Sequence, residues 1–245
     1  MYHFFIEEKP TENFITITGS DVNHIRNVLR MKAGEMIMVS CKKGSDYYCT
    51  ISSVASEQVK ARIDYVDEEG RELPSRIHLF QGFPKSDKME WIIQKAVELG
   101  VSEIIPVAMK RCVVKIEPKK EESKRKRWQT IAESAAKQSK RSLIPDIHSA
   151  MTYKEAVEYA SSMDMVLVPY EGAEKMAGTK AILEQVKPGQ NIGIFIGPEG
   201  GFEEEEIALV TEKGGHTITL GKRILRTETA GLAILSVLMM QLEQL

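Results

Sequence analysis

The sequence predicts two domains, a small β-barrel over residues 1–72 and an α/β domain with a mostly parallel sheet over residues 73–245. Short β-type segments dominate the first part, whereas apolar strands and amphipathic helices alternate in the second. Between them, DEEGRELPS from Asp67 combines charge, glycine and proline without periodicity, which is typical of a linker.

Five β-type segments are predicted in the first domain, and one helix interrupts them. The segments are HFFIEE from His3, FITIT from Phe14, EMIMVSCK from Glu35, DYYCTISSVAS from Asp46 and QVKARIDYV from Gln58. The helix is DVNHIRNVLRMKAGE, with Asp21 as its N-cap and Gly34 as its stop. Turn signals such as KKGSD between the segments favour a small barrel.

The second domain begins with the strand RIHLFQGF from Arg76, followed by a helix that ends at Gly100. The apolar residues that share one face of this helix are Met89, Ile92, Ile93, Ala96 and Val97. Four more buried strands are predicted, EIIPVAM, MDMVLVPY, NIGIFIG and HTITL, with helices near 119–140, 152–161, 179–186 and 203–213. This alternation implies a parallel sheet covered on both faces. The apolar run 230–240 is too short to span a membrane, so we interpret it as a buried helix.

Composition excludes several classes of protein. With 33 Lys plus Arg and 35 Asp plus Glu, the net charge is −2, which excludes a histone-like basic protein. The first residues show no secretory signal, so we expect a cytoplasmic protein. Three cysteines without a C-x-x-C pair predict reduced thiols, and five scattered histidines predict no metal.

The near neutrality conceals an asymmetric charge distribution. Residues 110–141 carry 12 basic and 4 acidic side chains, a charge of +8, and the rest of the chain carries −10. A basic helix face suits a polyanion such as RNA, although a solvated helix face explains the same run equally well. A second, smaller basic cluster lies beside the β-rich part. The candidate RNA-binding residues are Arg26, Arg30, Lys32, Lys124, Arg125, Arg127 and Arg141.

Two loops near the C-terminus each follow a predicted strand, where open α/β sheets bind ligands. In IGPEGGFEEEE, we expect Gly197, Gly200 and Gly201 to permit positive φ and close backbone approach, and four glutamates to open the next helix. In LGKRILRTETA, Gly221 turns the chain and Thr227 is expected to N-cap the last helix. Neither loop is a P-loop or a dinucleotide fingerprint, which disfavours nucleotide binding.

These two loops, about 20 residues apart and in this order, resemble the RsmE family of 16S ribosomal RNA uridine N3-methyltransferases of the SPOUT class. The similarity extends over the whole chain, since HIRNVLRMKAGE resembles the N-terminal motif of the family. KSDKMEWIIQKAVELGV, followed by KRC, resembles the start of its catalytic domain. The resemblance implies a PUA-like RNA-binding barrel, a parallel-sheet SPOUT domain with a deep trefoil knot, S-adenosylmethionine as cofactor and a homodimer.

The resemblance also implies which residues of this chain hold the cofactor. They are Val168, Pro169, Tyr170, Ile196, Gly197, Glu199, Gly200, Gly201, Leu220, Gly221, Ile224, Leu225, Arg226 and Thr227. The segment 168–170 matches the family least distinctively.

Uridine N3 carries a proton and is a poor nucleophile until that proton leaves. We assign Arg226 as the cation that stabilises charge on the base, Glu228 as the general base or an orienting group, and Glu199 to a structural or substrate-ordering role. Helix capping and ion pairing are the structural alternatives for Glu228. The chain could instead be a non-catalytic RNA-binding assembly factor of the ribosome, or a SPOUT methyltransferase acting on transfer RNA.

Overall fold

The structure is a computed structural model that describes residues 1–41, 45–114, 118–173 and 176–243. The chain divides into two units, the first made of 1–72 with 136–144 and the second of 73–135 with 145–245. The sequence division placed 136–144 in the second domain, whereas its contacts group it with the first unit.

The first unit is built on a five-stranded mixed sheet in the order β1-β3-β4-β5-β2. Only β1 and β3 are parallel, and the other pairs are antiparallel. Strands β1 and β2 form the two edges of the pairing, so the described residues form a half-barrel rather than a closed barrel. The five strands are those predicted: β1 (Tyr2–Ile6), β2 (Phe14–Thr18), β3 (Met36–Cys41), β4 (Ser45–Val54) and β5 (Gln58–Asp67).

The predicted helix of the first unit is shorter than expected. It consists of α1 (Ser20–Asn23) and a π-helical turn (His24–Val28), and its N-cap is Gly19 rather than Asp21. The stop at Gly34 was wrong because Arg30 already adopts a left-handed conformation, with φ of 55°.

A buried polar network explains why 136–144 belongs to the first unit. The carboxylate of Asp46, fully buried, accepts hydrogen bonds from Ser40 Oγ at 2.5 Å and Ser142 Oγ at 2.8 Å. Because the Ser40 hydroxyl hydrogen is committed to Asp46, His3 Nε2 donates to Ser40 Oγ, at 2.7 Å. Burial raises the pKa of Asp46 and lowers the pKa of His3 to about 4. The side chain of Ser142 is thus bonded into the interior of the sheet domain.

The second unit contains a sheet in the order β12-β10-β11-β6-β7-β8, with β9 also paired to β7. Every pair in it is parallel, which confirms the predicted parallel sheet. The two-residue strands β8 and β9 were not predicted, because segments this short show no periodicity. The strands are β6 (Arg76–Gly82), β7 (Glu103–Ala108), β8 (Asp146–Ile147), β9 (Met151–Thr152), β10 (Met165–Pro169), β11 (Asn191–Ile196) and β12 (His216–Ile218).

Six helices accompany this sheet, and none of the helices in the described part of the chain is long and apolar enough to cross a membrane. The five apolar residues predicted on one face of α2 are all buried, and the predicted basic helix is α3, whose C-terminal end lies in the first unit. The helices are α2 (Lys88–Glu98), α3 (Pro118–Ser139), α4 (Tyr153–Ala160), α5 (Met176–Leu183), α6 (Glu204–Glu212) and α7 (Thr227–Leu242).

Candidate active site

A cleft of about 500 Å³ lies at the carboxyl ends of β10, β11 and β12. Open parallel sheets bind ligands at this edge because the loops after neighbouring strands meet there. The cleft is lined by residues 169–171, 196–202 and 219–227, together with Lys88 and Ala230. Val168, a candidate cofactor residue, is fully buried in β10 and does not line the cleft.

The glycines of the loop after β11 serve two different purposes. Gly201 has a φ of 72°, as expected, but Gly197 and Gly200 are not in the left-handed region. A Cβ on Gly200 would lie 2.9 Å from Arg111 Cβ, and a Cβ on Gly197 would lie 3.1 Å from the Phe202 ring. These two positions therefore require glycine for close packing rather than for backbone conformation.

The glutamates that follow this loop do more than face the helix dipole. Glu203 is the N-cap of α6 and forms a capping box with Glu206. Arg111 pairs with Glu203, Nε to Oε1 at 3.1 Å, and donates from Nη1 to the Gly200 carbonyl at 3.0 Å. Glu206, 8% exposed, accepts a hydrogen bond from the Lys110 amide at 2.9 Å. The segment after β7 thus fixes the glycine loop from the side.

The loop after β12 is tied to the glycine loop through Thr227. Gly221 turns the chain with a φ of 114°, but Thr227 is the first residue of α7 and Arg226 is its N-cap, so the predicted cap was wrong. The Thr227 hydroxyl, 5% exposed as a residue, donates to the Gly197 carbonyl at 2.6 Å and accepts from Gln81 Nε2 at 2.9 Å. One hydroxyl therefore joins β6, the glycine loop and the start of α7.

Lys88, which the sequence analysis did not single out, links the two candidate carboxylates. Its Nζ lies 3.2 Å from an oxygen of Glu199 and 3.2 Å from an oxygen of Glu228. Glu199 also accepts from the Lys85 amide at 3.0 Å. Burial opposes ionisation of Glu199, but these hydrogen bonds outweigh it and the pKa of Glu199 lies below its ordinary value. The same two carboxylates raise the pKa of Lys88.

The remaining candidates in the loop after β12 lie at the mouth of the cleft. Arg226 is exposed and makes no ion pair with the residues that the structure describes. Ile224 is 85% exposed, and Leu225 is half-buried. Leu220, Tyr170 and Pro169 line the cleft. The site thus combines a free guanidinium, an ion-paired carboxylate and an open apolar rim.

The candidate RNA-binding residues differ in their surroundings. Arg26, Arg30 and Lys32 are exposed in the first unit. On α3, Lys124 and Arg125 are half-buried, and Arg125 pairs with Glu122 at 3.1 Å.

Other ion pairs reduce the predicted basic face further. Arg127 is exposed but pairs with Glu90 at 2.7 Å. Arg141 is 5% exposed and forms an ion pair with Glu72. The assignment of Arg141 to an RNA-facing surface was therefore wrong, because this arginine is buried and ion-paired with Glu72 of its own unit. The excess charge of 110–141 is in part neutralised by carboxylates from elsewhere in the chain.

The cysteines and potential metal ligands are dispersed. All three cysteines are free thiols, and burial raises the pKa of Cys49 to about 12. Within the described ranges, histidines, cysteines and acidic residues form no group of three suited to a metal ion.

Family models match both parts of the chain. Residues 71–239 match an RNA methyltransferase domain, and residues 17–64 match an RNA methyltransferase PUA domain. The first match covers more than half of the chain and includes every loop of the cleft.

Similar proteins match over nearly their full length. The ribosomal RNA small subunit methyltransferase E of Bacillus subtilis is 40% identical over 98% of this chain and 94% of its own length. That of Mesomycoplasma hyopneumoniae is 37% identical over 96% and 98%.

Two solved structures resemble the fold closely. One is a ribosomal RNA small subunit methyltransferase E from Neisseria gonorrhoeae bound to S-adenosyl methionine, with a TM-score of 0.83, 32% identity and coverage of 98% of this chain and 97% of that one. The other is a putative methyltransferase from Legionella pneumophila in complex with the same cofactor, with a TM-score of 0.82, 31% identity and coverage of 97% and 96%. The chain belongs to the family of RNA methyltransferases that includes the ribosomal RNA small subunit methyltransferase E proteins.

Proposed function

We propose that this protein transfers a methyl group from S-adenosylmethionine to N3 of a uridine in small-subunit (16S) ribosomal RNA. The observation that carries the proposal is the convergence of three strand-end loops on one cleft, with Arg226 in its lining and Glu228 bound to the lining residue Lys88. The relatives that are ribosomal RNA small subunit methyltransferases support the ribosomal substrate, and the two related structures with bound S-adenosyl methionine support the cofactor.

The cleft fits S-adenosylmethionine in size and in chemistry. A volume of about 500 Å³ is in the range of small-molecule sites. The lining combines apolar side chains such as Ile196, Leu220 and Leu225 with charged ones such as Glu199 and Arg226. We assign cofactor binding to segments 169–170, 196–201 and 220–227. When bound, the cofactor supplies an electrophilic methyl group on a sulfonium, which leaves as a neutral thioether.

The chain must activate the uridine, whose N3 carries a proton. Glu228 accepts the bond from Lys88 through Oε2, and the described residues leave its other oxygen available to accept the N3 proton. Arg226 is unpaired among the described residues, so its guanidinium can neutralise the negative charge that spreads to the uracil carbonyls. Glu199 is held by Lys85 and Lys88 and so orders the loop.

RNA binding is assigned to exposed cations in each unit. Arg26, Arg30 and Lys32 beside the sheet of the first unit are available to phosphates. On α3, Arg125 and Arg127 contribute after exchanging their carboxylate partners for phosphates, which costs little for solvent-accessible pairs, and Lys124 adds a further cation. We expect such an enzyme to act in the cytoplasm, on RNA in which the target base is unpaired or flipped out.

A homodimer is the expected assembly. Helices α2 and α7 contact each other, and both keep large apolar side chains exposed, with Trp91 46%, Val237 43% and Met240 70% exposed. Exposed apolar groups on neighbouring elements are typical of an interface. Sedimentation at equilibrium should give twice the monomer mass, and a Met240→Lys variant should sediment as a monomer.

Mass spectrometry of the reacted RNA tests the proposed function. Small-subunit RNA that lacks the modification is incubated with the protein and S-adenosylmethionine, both as naked RNA and as whole subunits. We expect N3-methyluridine at one position in at least one of these substrates. If the product is absent from both substrates and calorimetry detects no heat of S-adenosylmethionine binding, a non-catalytic assembly factor would be favoured. Methylation of transfer RNA instead would reassign the substrate.

A further inference from the structure

Lys88 occupies an unusual place for a lysine. It is the first residue of α2, where the helix dipole disfavours a positive charge, and Asp87 is the N-cap. The preceding Ser86 has a φ of 56°, a left-handed conformation that costs free energy for a residue with a side chain. The β6–α2 connection therefore contains two locally unfavourable features, the left-handed Ser86 and a lysine at the start of the helix. The side chain of that lysine lines the cleft.

The whole connection is built against the glycine loop. A Cβ on Gly82 would lie 2.8 Å from Pro198, which shows how closely the two segments pass. The Lys85 amide and the Lys88 ammonium then bind the same oxygen of Glu199, at 3.0 and 3.2 Å. Lys88 alone continues to Glu228 on α7, at 3.2 Å. The Lys88 ammonium therefore links the β6–α2 connection to α7, the helix that carries Glu228.

Lys88 lies between two carboxylates from different elements. Its ammonium pairs with Glu199 from the loop after β11 and with Glu228 from α7, and the cations Arg223 and Arg226 from the loop after β12 line the same cleft as Lys88. On its own element, Asp87 is adjacent, and Glu90 is engaged by Arg127. Two carboxylates that share a site without a cation repel each other, and one of them takes up a proton. The Lys88 ammonium, 3.2 Å from both carboxylates, offsets this repulsion.

We propose that Lys88 is a positioning residue for methyl transfer, which holds Glu228 in place beside the cofactor cleft while anchoring Glu199. This role rests on the proposed function, because it assigns Glu228 the N3 proton. Lys88 acts through the two carboxylates and need not touch the substrate.

The test compares Lys88→Met with Lys85→Met in single-turnover methylation across pH. Both variants lose one lysine charge near the glycine loop, but Lys85 binds Glu199 through its backbone amide, which the substitution keeps. We expect Lys88→Met to lower the maximal rate about 10- to 100-fold and to move the acidic limb of the rate profile to higher pH. Its affinity for S-adenosylmethionine should stay within about threefold of the wild type, because the Lys85 amide still binds Glu199 and keeps the glycine loop in place. Lys85→Met should match the wild type in rate and profile.

Lys88→Arg tests whether a different cation restores the rate, since a guanidinium can also bridge two carboxylates. The arginine variant should restore the acidic limb and most of the rate. A Lys88→Met variant with the wild-type rate and profile, or one that loses rate without any shift of the limb, would overturn the positioning role. A methionine variant that fails to fold, or an arginine variant with no rescue, would show that Lys88 is merely structural and would also overturn it. If the wild-type protein itself does not methylate the RNA, the proposed function is contradicted instead.

Discussion

Replacement of Thr227 by valine tests whether one buried hydroxyl holds the cleft together. Valine keeps the shape of threonine but removes the donor to the Gly197 carbonyl and the acceptor for Gln81 Nε2. Because these partners lie 30 and 146 residues away in sequence, no local element replaces the lost bonds.

The size of the effect follows from the burial of each partner. Gln81 is fully buried and keeps only its bond to the Gly82 carbonyl, so its stranded N–H costs about 1–3 kcal/mol. The Gly197 carbonyl belongs to a half-buried residue and can turn to water, so its loss costs about 0.5–1.5 kcal/mol. We expect Thr227→Val to lower the free energy of unfolding of the second unit by about 1.5–4.5 kcal/mol.

Urea denaturation followed by tryptophan fluorescence measures this loss. The protein has two tryptophans, Trp91 and Trp128, and both belong to the second unit, so the signal reports its unfolding. Thr227→Ser is the matched control, because it keeps the hydroxyl and loses only a methyl group, worth about 0.8 kcal/mol. A valine variant no less stable than the serine variant would refute the reasoning, since the hydroxyl would then contribute nothing.

Three further outcomes are expected. Arg226→Ala should reduce methyl transfer at least about 100-fold with cofactor binding and fold intact, measured by single-turnover rates and calorimetry; normal turnover would remove Arg226 from the catalytic residues. The hydrogen bond and charge of Glu103 raise the pKa of His148, so its contribution to stability is present below about pH 6.5 and is lost as the pH rises through the raised value. Thermal unfolding from pH 5 to 9 should show this loss in the wild type and not in His148→Gln. Arg141→Ala should lower the free energy of unfolding by about 3 kcal/mol because it breaks a largely buried ion pair, whereas Arg30→Ala should leave stability unchanged and weaken RNA binding in filter assays.

Regular elements were predictable because their signals are local. The continuous apolar runs gave all five main strands of the parallel sheet, and the five-residue apolar face of α2 is buried as its period requires. Helix ends that depend on the backbone conformation of a single residue were not predictable. The first helix ends early because Arg30 turns left-handed, a conformation for which arginine carries no sequence signal. The edge strands of the first sheet were likewise not predictable, since the number of strands does not determine which edges pair.

The prediction of a basic surface was the least accurate one, because a count of charged residues ignores the ion pairs that they form in the fold. The sequence of α3 shows its cations but not that Arg127 pairs with Glu90, or that Arg141 pairs with Glu72. Both acidic partners lie more than 30 residues away in the chain, so only the fold brings them into contact. A segment charge of +8 therefore marks where cations are concentrated, not how many of them are free to bind phosphate.

The same limit explains why the loops were found and Lys88 was not. Glycines at 197 and 200, and an arginine and a carboxylate at 226 and 228, lie close together in short loops, so their grouping is visible in the sequence. Lys88 is 111 residues from Glu199 and 140 from Glu228, and its own segment reads as an ordinary helix start. The available signal was electrostatic: a lysine directly after an N-cap aspartate opposes the helix dipole. A cation at such a position is favoured by acidic partners from elsewhere in the fold, and here Lys88 pairs with Glu199 in the lining of the cleft and with Glu228 on the first turn of α7.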